Sequence, residues 1–158
     1  MGLGFNADEI FEMAEQIERN GAKYYREAAE AVTNEADKTF LVELAVMEDD
    51  HEVTFADLRK NLSADEKEAL TFDPEDEAAQ YLKALADTRV FYKKDIDLSS
   101  MEGILKGAIT AEKDSIVFYL GMKDLVGGAR GKDRIDAIIK EEMKHIKLLS
   151  SRLLAAGK

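Results

Sequence analysis

The sequence predicts an all-α protein: a four-helix bundle with a long crossover that carries an additional helix. Four long segments repeat apolar residues with the period of an α-helix, and no segment shows the alternating pattern of a strand. Capping residues and glycines mark several helix ends. Because the chain has 158 residues, 46% of them hydrophobic, with a single proline, we expect one domain over residues 1–158.

The first two helices are predicted over residues 7–31 and 37–60. A cap at Asn6 or Asp8 precedes the first helix, and a break at 33–37 separates the two. Helices that are joined by so short a connection pack side by side, so we expect an antiparallel pair.

The segment 61–98 differs from its neighbours. Ser63 and Glu66 form a capping box for a short helix, and Asp73 followed by Pro74 begins an additional helix over about 74–92. This segment could act as a plain crossover, as an oligomer contact, or as a hinge that lets helix pairs swap between chains. The pattern does not distinguish these three roles.

The last two helices form a second predicted pair. Ser99 and Glu102 make a capping box that opens the third helix, which stops before Gly127 and Gly128. The fourth helix is predicted from 131 or 133 almost to the C-terminus. Two short connections and one long one are the arrangement of a four-helix bundle in which helix pairs are joined by a crossover.

Charge and composition exclude several functions. A net charge of -11 argues against binding to nucleic acid or to an anionic membrane surface. No apolar run reaches the roughly 20 residues of a spanning helix, and the N-terminus lacks the pattern of a secretory signal peptide. We therefore expect a cytoplasmic protein without a membrane partner. The chain has no cysteine, so any metal must be bound through nitrogen and oxygen.

Both histidines of the chain lie in the same local pattern. His51 follows Glu48 by three residues, and His145 follows Glu142 by three. Residues that are three apart on a helix lie on one face and point the same way. Each glutamate and histidine pair can therefore reach one metal region.

The other two helices each add one glutamate on an apolar face, and the spacing repeats. Glu18 lies 30 residues before the first pair, Glu112 lies 30 residues before the second pair, and the whole set recurs after 94 residues. The same offset relates Tyr25 to Tyr119. Two-fold pseudo-symmetry around a bimetallic centre follows from this repeat. The candidate metal ligands are Glu18, Glu48, His51, Glu112, Glu142 and His145.

Electrostatics favours a metal at this place. Burying unpaired carboxylates costs several kcal/mol each or forces protonation, so four of them need a shared cation. Four negative charges balance two ferrous ions, and oxygen ligands with two imidazoles suit iron or manganese. Glu141 could instead pair with His145 four residues later, but the spacing favours Glu142. We therefore predict a solvated Glu141.

These residues resemble the ligand set of the rubrerythrin and bacterioferritin branch of the ferritin-like superfamily. In that branch two helices each give a glutamate and two give Glu-x-x-His. The resemblance implies a ferritin-like bundle with two iron ions, one histidine to each. It also implies that Glu48 and Glu142 bridge the ions, whereas Glu18 and Glu112 are terminal ligands.

The resemblance further gives roles to Tyr25 and Tyr119, as phenols that hydrogen-bond to ligating carboxylates and support catalysis. Two departures from rubrerythrins stand out. Ser115 occupies a position where rubrerythrins usually carry a further glutamate, which puts ligand switching between oxidation states in doubt. Without cysteine, the chain also lacks a rubredoxin domain, so we expect electrons to come from a separate donor.

The resemblance implies a diiron oxidoreductase that reduces hydrogen peroxide or dioxygen in defence against oxidative stress, with manganese as an alternative metal. A ferroxidase that handles iron is the alternative function, and a metal-free helical interaction module is a further one. We expect a homo-oligomer, either a dimer or a larger assembly.

Overall fold

A computed structural model describes residues 7–62, 80, 97–125 and 129–156. The described chain forms four helices and contains no strand: α1 (Ala7–Ala31), α2 (Glu35–Lys60), α3 (Met101–Leu125) and α4 (Ala129–Ala156). The all-α prediction is confirmed. The short helix expected after Ser63 lies outside the described residues, as does almost all of the additional helix expected over about 74–92.

Helix α2 begins two residues earlier than the sequence predicted. Asn34 is its N-cap, and the side-chain oxygen of Asn34 accepts a hydrogen bond of 3.0 Å from the backbone N–H of Asp37. An asparagine cap satisfies one of the free N–H groups of the first turn. The cap therefore allows the helix to start at Glu35.

The predicted cap of helix α3 is wrong by one residue. The hydroxyl of Ser100 accepts a hydrogen bond of 3.0 Å from the N–H of Gly103, which is the contact of an N-cap. The hydroxyl of Ser99 instead donates to Asp97, and Glu102 pairs with a lysine on the following turn. The capping box of Ser99 and Glu102 does not form.

Ion pairs near the helix ends tie the bundle together. Arg59 of α2 binds Asp8 at 2.8 Å and Glu15 at 3.1 Å, both on α1. At the opposite end, Arg152 of α4 binds Asp37 of α2 at 2.9 Å. These contacts join the end of one helix to the start of another, so α1 with α2, and α2 with α4, run antiparallel.

Aromatic side chains fill the interior between the two pairs. Tyr24 donates a hydrogen bond of 2.6 Å from α1 to the carbonyl of Ile104 on α3. Gly107 leaves space for that ring, because an added Cβ would lie 2.9 Å from the Tyr24 hydroxyl. On the other side, the rings of Phe55 and Tyr119 lie with centroids 5.0 Å apart.

A band of buried polar residues interrupts the apolar core at the middle of the helices. No described helix is long and apolar enough to cross a membrane. The band consists of Glu18, Glu48, His51, Glu112, Ser115, Glu142 and His145.

Candidate metal centre

The structure brings together all six residues that the sequence predicted as metal ligands. Helices α1 and α3 supply one glutamate each, and α2 and α4 supply a glutamate and a histidine each. All six are buried, with at most 3% of each residue exposed. The spacing of three places the two members of each glutamate and histidine pair on one face, as helix geometry requires.

The six residues form two overlapping groups, each with four donor atoms that lie within 4.8 Å of one another. Glu48 and Glu142 belong to both groups. The remaining members differ: the first group adds Glu18 and His51, and the second adds Glu112 and His145.

The first group surrounds the Nδ1 atom of His51. This nitrogen lies 2.7 Å from Glu142 Oε1, 3.6 Å from Glu18 Oε2 and 3.8 Å from Glu48 Oε2. The second group surrounds Nδ1 of His145.

His145 Nδ1 lies 3.4 Å from Glu48 Oε1, 3.5 Å from Glu112 Oε1 and 3.9 Å from Glu142 Oε2. Each shared glutamate thus directs one oxygen toward each histidine. The two imidazole rings are nearly parallel, with centroids 5.8 Å apart and planes inclined by 19°.

Eight buried side-chain atoms among the described residues have no hydrogen-bond partner, and all eight belong to these six residues. Buried polar groups are nearly always hydrogen-bonded, because an unpaired one costs about 1–3 kcal/mol. Two cations would satisfy them together, and a donor set of oxygen and imidazole nitrogen fits iron or manganese. The atoms are Glu18 Oε2, both carboxylate oxygens of Glu48, His51 Nδ1, Glu112 Oε2, both carboxylate oxygens of Glu142, and His145 Nδ1.

Two tyrosines hold the unshared glutamates by hydrogen bonds that cross the bundle. The hydroxyl of Tyr25 on α1 donates to Glu112 Oε1 on α3 at 2.7 Å, and that of Tyr119 on α3 donates to Glu18 Oε1 on α1 at 2.5 Å. Each bond leaves the second carboxylate oxygen free. The hydrogen bonds that the resemblance implied are therefore present.

A model of a known protein family matches most of the chain. The family model described as Rubrerythrin matches residues 9–153. The chain belongs to the rubrerythrin family. Among solved structures, the rubrerythrin-family chain is similar to a protein from Thermotoga maritima that is described as a candidate ferritin-like diiron-carboxylate protein.

The two chains share 23% sequence identity with a TM-score of 0.73, and the match covers 99% of each. This likeness confirms the ferritin-like fold. A comparison with curated protein sequences gave no significant match.

Burial and mutual repulsion govern the protonation of this rubrerythrin-family site. Burial, followed by the charges of Glu18 and Glu112, raises the pKa of Glu48 well above its ordinary value. Burial alone would lower the pKa of His51, but the nearby carboxylate of Glu18, and then that of Glu141, raise it to about 9. Both groups therefore hold protons more tightly than usual when no cation is present.

The tyrosine hydroxyls respond to the same forces. Burial, followed by the charge of Glu112, raises the pKa of Tyr25 well above its ordinary value. Burial, followed by the charge of Glu18, does the same for Tyr119. Both phenols therefore stay protonated and act as hydrogen-bond donors.

The sequence reasoning missed two residues that contact the outer nitrogens of the histidines. Glu141 was predicted to be solvated; 55% of its side chain is exposed, but its carboxylate contacts His51 Nε2 across the bundle. Met47 Sδ lies 3.1 Å from His145 Nε2. The sequence did hold an indication, because each of these residues directly precedes a shared glutamate.

Ser115 lies one turn after Glu112 on α3. It is buried, and its hydroxyl donates a hydrogen bond of 3.0 Å to the carbonyl of Ala111 on its own helix. The position therefore offers the centre no carboxylate.

A cleft of about 550 Å³ opens between α2 and α4 on the outer side of the two histidines. Both residues that contact the histidine Nε2 atoms line it. The cleft gives solvent an approach to the outer edge of the centre, and its lining includes Met47, Asp50, His51, Arg134, Glu141, Lys144 and His145.

Proposed function

We propose that this chain is a diiron-carboxylate oxidoreductase of rubrerythrin type, which reduces hydrogen peroxide or dioxygen with electrons from a donor outside the chain. The observation that supports it is the set of eight unpaired buried donor atoms. They divide into two groups that share Glu48 and Glu142. A metal-free interaction module would have no cation to offset the cost of burying these atoms.

The charge of the ligand set fits two divalent ions. The carboxylates of Glu18, Glu48, Glu112 and Glu142 carry four negative charges when ionised, which two Fe²⁺ ions balance. The imidazole nitrogens of His51 and His145 would add one ligand each. Manganese is compatible with the same donors.

When bound, two ferrous ions would supply one electron each, and these two electrons with two protons would reduce one hydrogen peroxide to two water molecules. The residues of the chain orient the ligating glutamates and exclude bulk water. Tyr25 and Tyr119 hold the unshared glutamates through protonated phenols, and the surrounding apolar core keeps bulk water from the carboxylates. In rubrerythrins a further glutamate permits an iron to shift between ligands. Ser115 occupies that position here, and a serine hydroxyl cannot take the place of this carboxylate.

Anaerobic mixing of the ferrous-loaded protein with hydrogen peroxide, and separately with dioxygen, tests the proposal. We expect one peroxide to be consumed for every two Fe²⁺ oxidised, and repeated turnover when a chemical reductant is supplied. The Glu48→Gln variant should lose this reaction. The matched Glu52→Gln variant changes a partly exposed glutamate of the same helix and should retain it. Failure of the wild-type protein to react with either oxidant would refute the proposed activity.

Iron handling is the second candidate function, and the net charge of -11 favours it because it attracts Fe²⁺ as a substrate. A ferroxidase continues to oxidise Fe²⁺ beyond two ions per chain and passes the ferric product on. Excess Fe²⁺ under air distinguishes the two: the oxidoreductase keeps its two ions and stops when no reductant is present.

The oligomeric state is a second way to distinguish the oxidoreductase from an iron-storage protein. We propose a homo-oligomer, and light scattering of the native protein measures its size. Storage of iron within a shell of its own subunits requires many copies, so a dimer would exclude that form of iron handling.

A further inference from the structure

The outer nitrogens of the two buried histidines have chemically different partners. His51 Nε2 contacts the carboxylate of Glu141, whereas His145 Nε2 lies 3.1 Å from the thioether sulfur of Met47. Both imidazoles are almost completely buried, with 3% of each side chain exposed. Their inner Nδ1 atoms each face one unshared and two shared glutamates, although the distances differ. The difference in the chemical type of partner therefore lies on the outer side.

Met47 and Glu141 are equivalent positions of the internal repeat. They lie 94 residues apart, as do the two shared glutamates that directly follow them. Each side chain crosses the bundle to the histidine of the opposite helix: Met47 from α2 to α4, and Glu141 from α4 to α2. Met47 and Glu141 thus occupy symmetry-related places, but only Glu141 carries a charge.

This difference acts on the inner nitrogens. An imidazole that binds a cation through Nδ1 carries its proton on Nε2. A carboxylate that accepts a hydrogen bond from this Nε2–H fixes the tautomer and makes the ligating nitrogen more basic. A thioether sulfur is a weak acceptor and carries no charge. Glu141 also adds a fifth carboxylate beside the His51 half alone. The two halves of the centre therefore offer a cation unequal ligands.

We propose that Glu141 is a positioning residue that makes the His51 half the tighter of two metal positions, so that a divalent cation fills this half first. The inference rests on the proposed two-metal centre. Loss of an outer partner of a ligating histidine typically weakens metal binding 10–100-fold. The two dissociation constants should differ by a factor of about this size.

Co²⁺ serves as the probe, in place of Fe²⁺, because binding can then be followed without oxidation. Titration calorimetry of the metal-free wild-type chain should show two steps, and crystals grown with one equivalent of Co²⁺ should give anomalous density mainly beside His51. In Glu141→Met both histidines have a thioether partner, so the two steps should merge. Glu141→Gln keeps an accepting oxygen and should retain part of the difference.

The exchange variant Met47→Glu/Glu141→Met provides the most specific comparison. It moves the carboxylate to the other half, so the position filled first should move to His145. Both exchanged side chains are more than one-third exposed, which limits the cost to folding. Met143→Glu is the control: it adds the same charge next to Glu142 at a position that does not line the cleft, and the filling order should stay as in the wild type.

Three results would overturn the inference: equal occupancy of the two positions in the wild type, an unchanged order in the exchange variant, or a Gln variant that binds as the Met variant does. These results leave the two-metal centre in place. If the wild-type chain binds no Co²⁺ at these residues, the two-metal centre fails together with the inference.

Discussion

Glu48 is the residue at which folding and metal binding oppose each other most directly. Its side chain is fully buried, and neither carboxylate oxygen has a hydrogen-bond partner. Burial and the charges of Glu18 and Glu112 raise its pKa well above the ordinary value. The metal-free protein therefore contains a destabilising group that a bound cation would neutralise.

Glu48→Gln is expected to stabilise the metal-free protein and to weaken the metal-bound form. Gln removes the buried ionisable carboxyl, whose raised pKa disfavours the folded state at neutral pH, so the free energy of unfolding of the metal-free protein should rise. The substitution should also weaken metal binding by more than the roughly 10–100-fold loss that follows removal of an outer partner. Urea unfolding and metal titration measure both effects. Glu52→Gln is the control and should change the free energy of unfolding by no more than about 1 kcal/mol.

The tyrosine hydroxyls are expected to stabilise the metal-free fold. Tyr25→Phe and Tyr119→Phe each keep the ring and leave one buried carboxylate oxygen without its donor. We expect each change to cost about 1–3 kcal/mol in the free energy of unfolding, measured with urea on metal-free protein. Because the two tyrosines are equally buried and bind equivalent glutamates, similar losses are expected. A loss in neither variant would show that these bonds contribute nothing.

Capping side chains determine the residue at which a helix begins. Helix α3 starts after Ser100, whose hydroxyl accepts from the N–H of Gly103, whereas Ser99 turns back to Asp97. Two adjacent serines thus have different roles, and only one of them satisfies a free N–H of the first helical turn.

Ser100→Ala is expected to lower the free energy of unfolding by about 1 kcal/mol, the usual cost of a lost N-cap. Ser99→Ala, its neighbour, should cost less because its hydroxyl pairs with an exposed loop carboxylate. Urea unfolding of the two variants side by side makes the comparison. A larger loss for Ser99→Ala would contradict the observed cap.

The sequence predicts contacts within one helix better than contacts between helices, because helix geometry alone determines the former. Glu48 and His51 share a face of one helix whatever packs against it, so their spacing alone indicates their common direction. The contact of Glu141 with His51 joins two helices, and it depends on how closely α2 and α4 approach. The cap at Ser100 likewise depends on the loop conformation at Asp97, which spacing does not encode.

Across the whole molecule, two helix pairs of similar pattern enclose one centre. The repeat of 94 residues relates the shared glutamates, the unshared ones, the histidines and the tyrosines. The structure reproduces this relation in the crossed hydrogen bonds of Tyr25 and Tyr119. It departs from the relation at Met47 and Glu141, where only one half of the molecule carries a charge.

Stability of the metal-free molecule should fall as pH rises from about 6.5 to about 9. Against the lowering effect of burial, Glu18 and then Glu141 raise the pKa of His51 from 6.5 to about 9. A group that binds its proton more tightly in the folded state stabilises the fold below its unfolded pKa, and this contribution is lost as pH rises through the folded pKa. The raised pKa of Glu48 acts in the same direction above about 4.5.

Melting temperatures of metal-free and metal-saturated protein over this range measure the effect. Metal binding displaces the same protons, so the stabilisation by metal should increase with pH. A metal-free protein that becomes more stable from pH 6.5 to 9 would contradict the protonation described for His51.

A crystal structure of the chain loaded anaerobically with Fe²⁺, with anomalous data at the iron edge, tests the proposed two-metal centre most directly. We predict two iron peaks per chain, both in contact with Glu48 and Glu142, one bound by His51 and the other by His145. No peak, a single fully occupied peak in the presence of excess iron, or peaks away from these residues would contradict it.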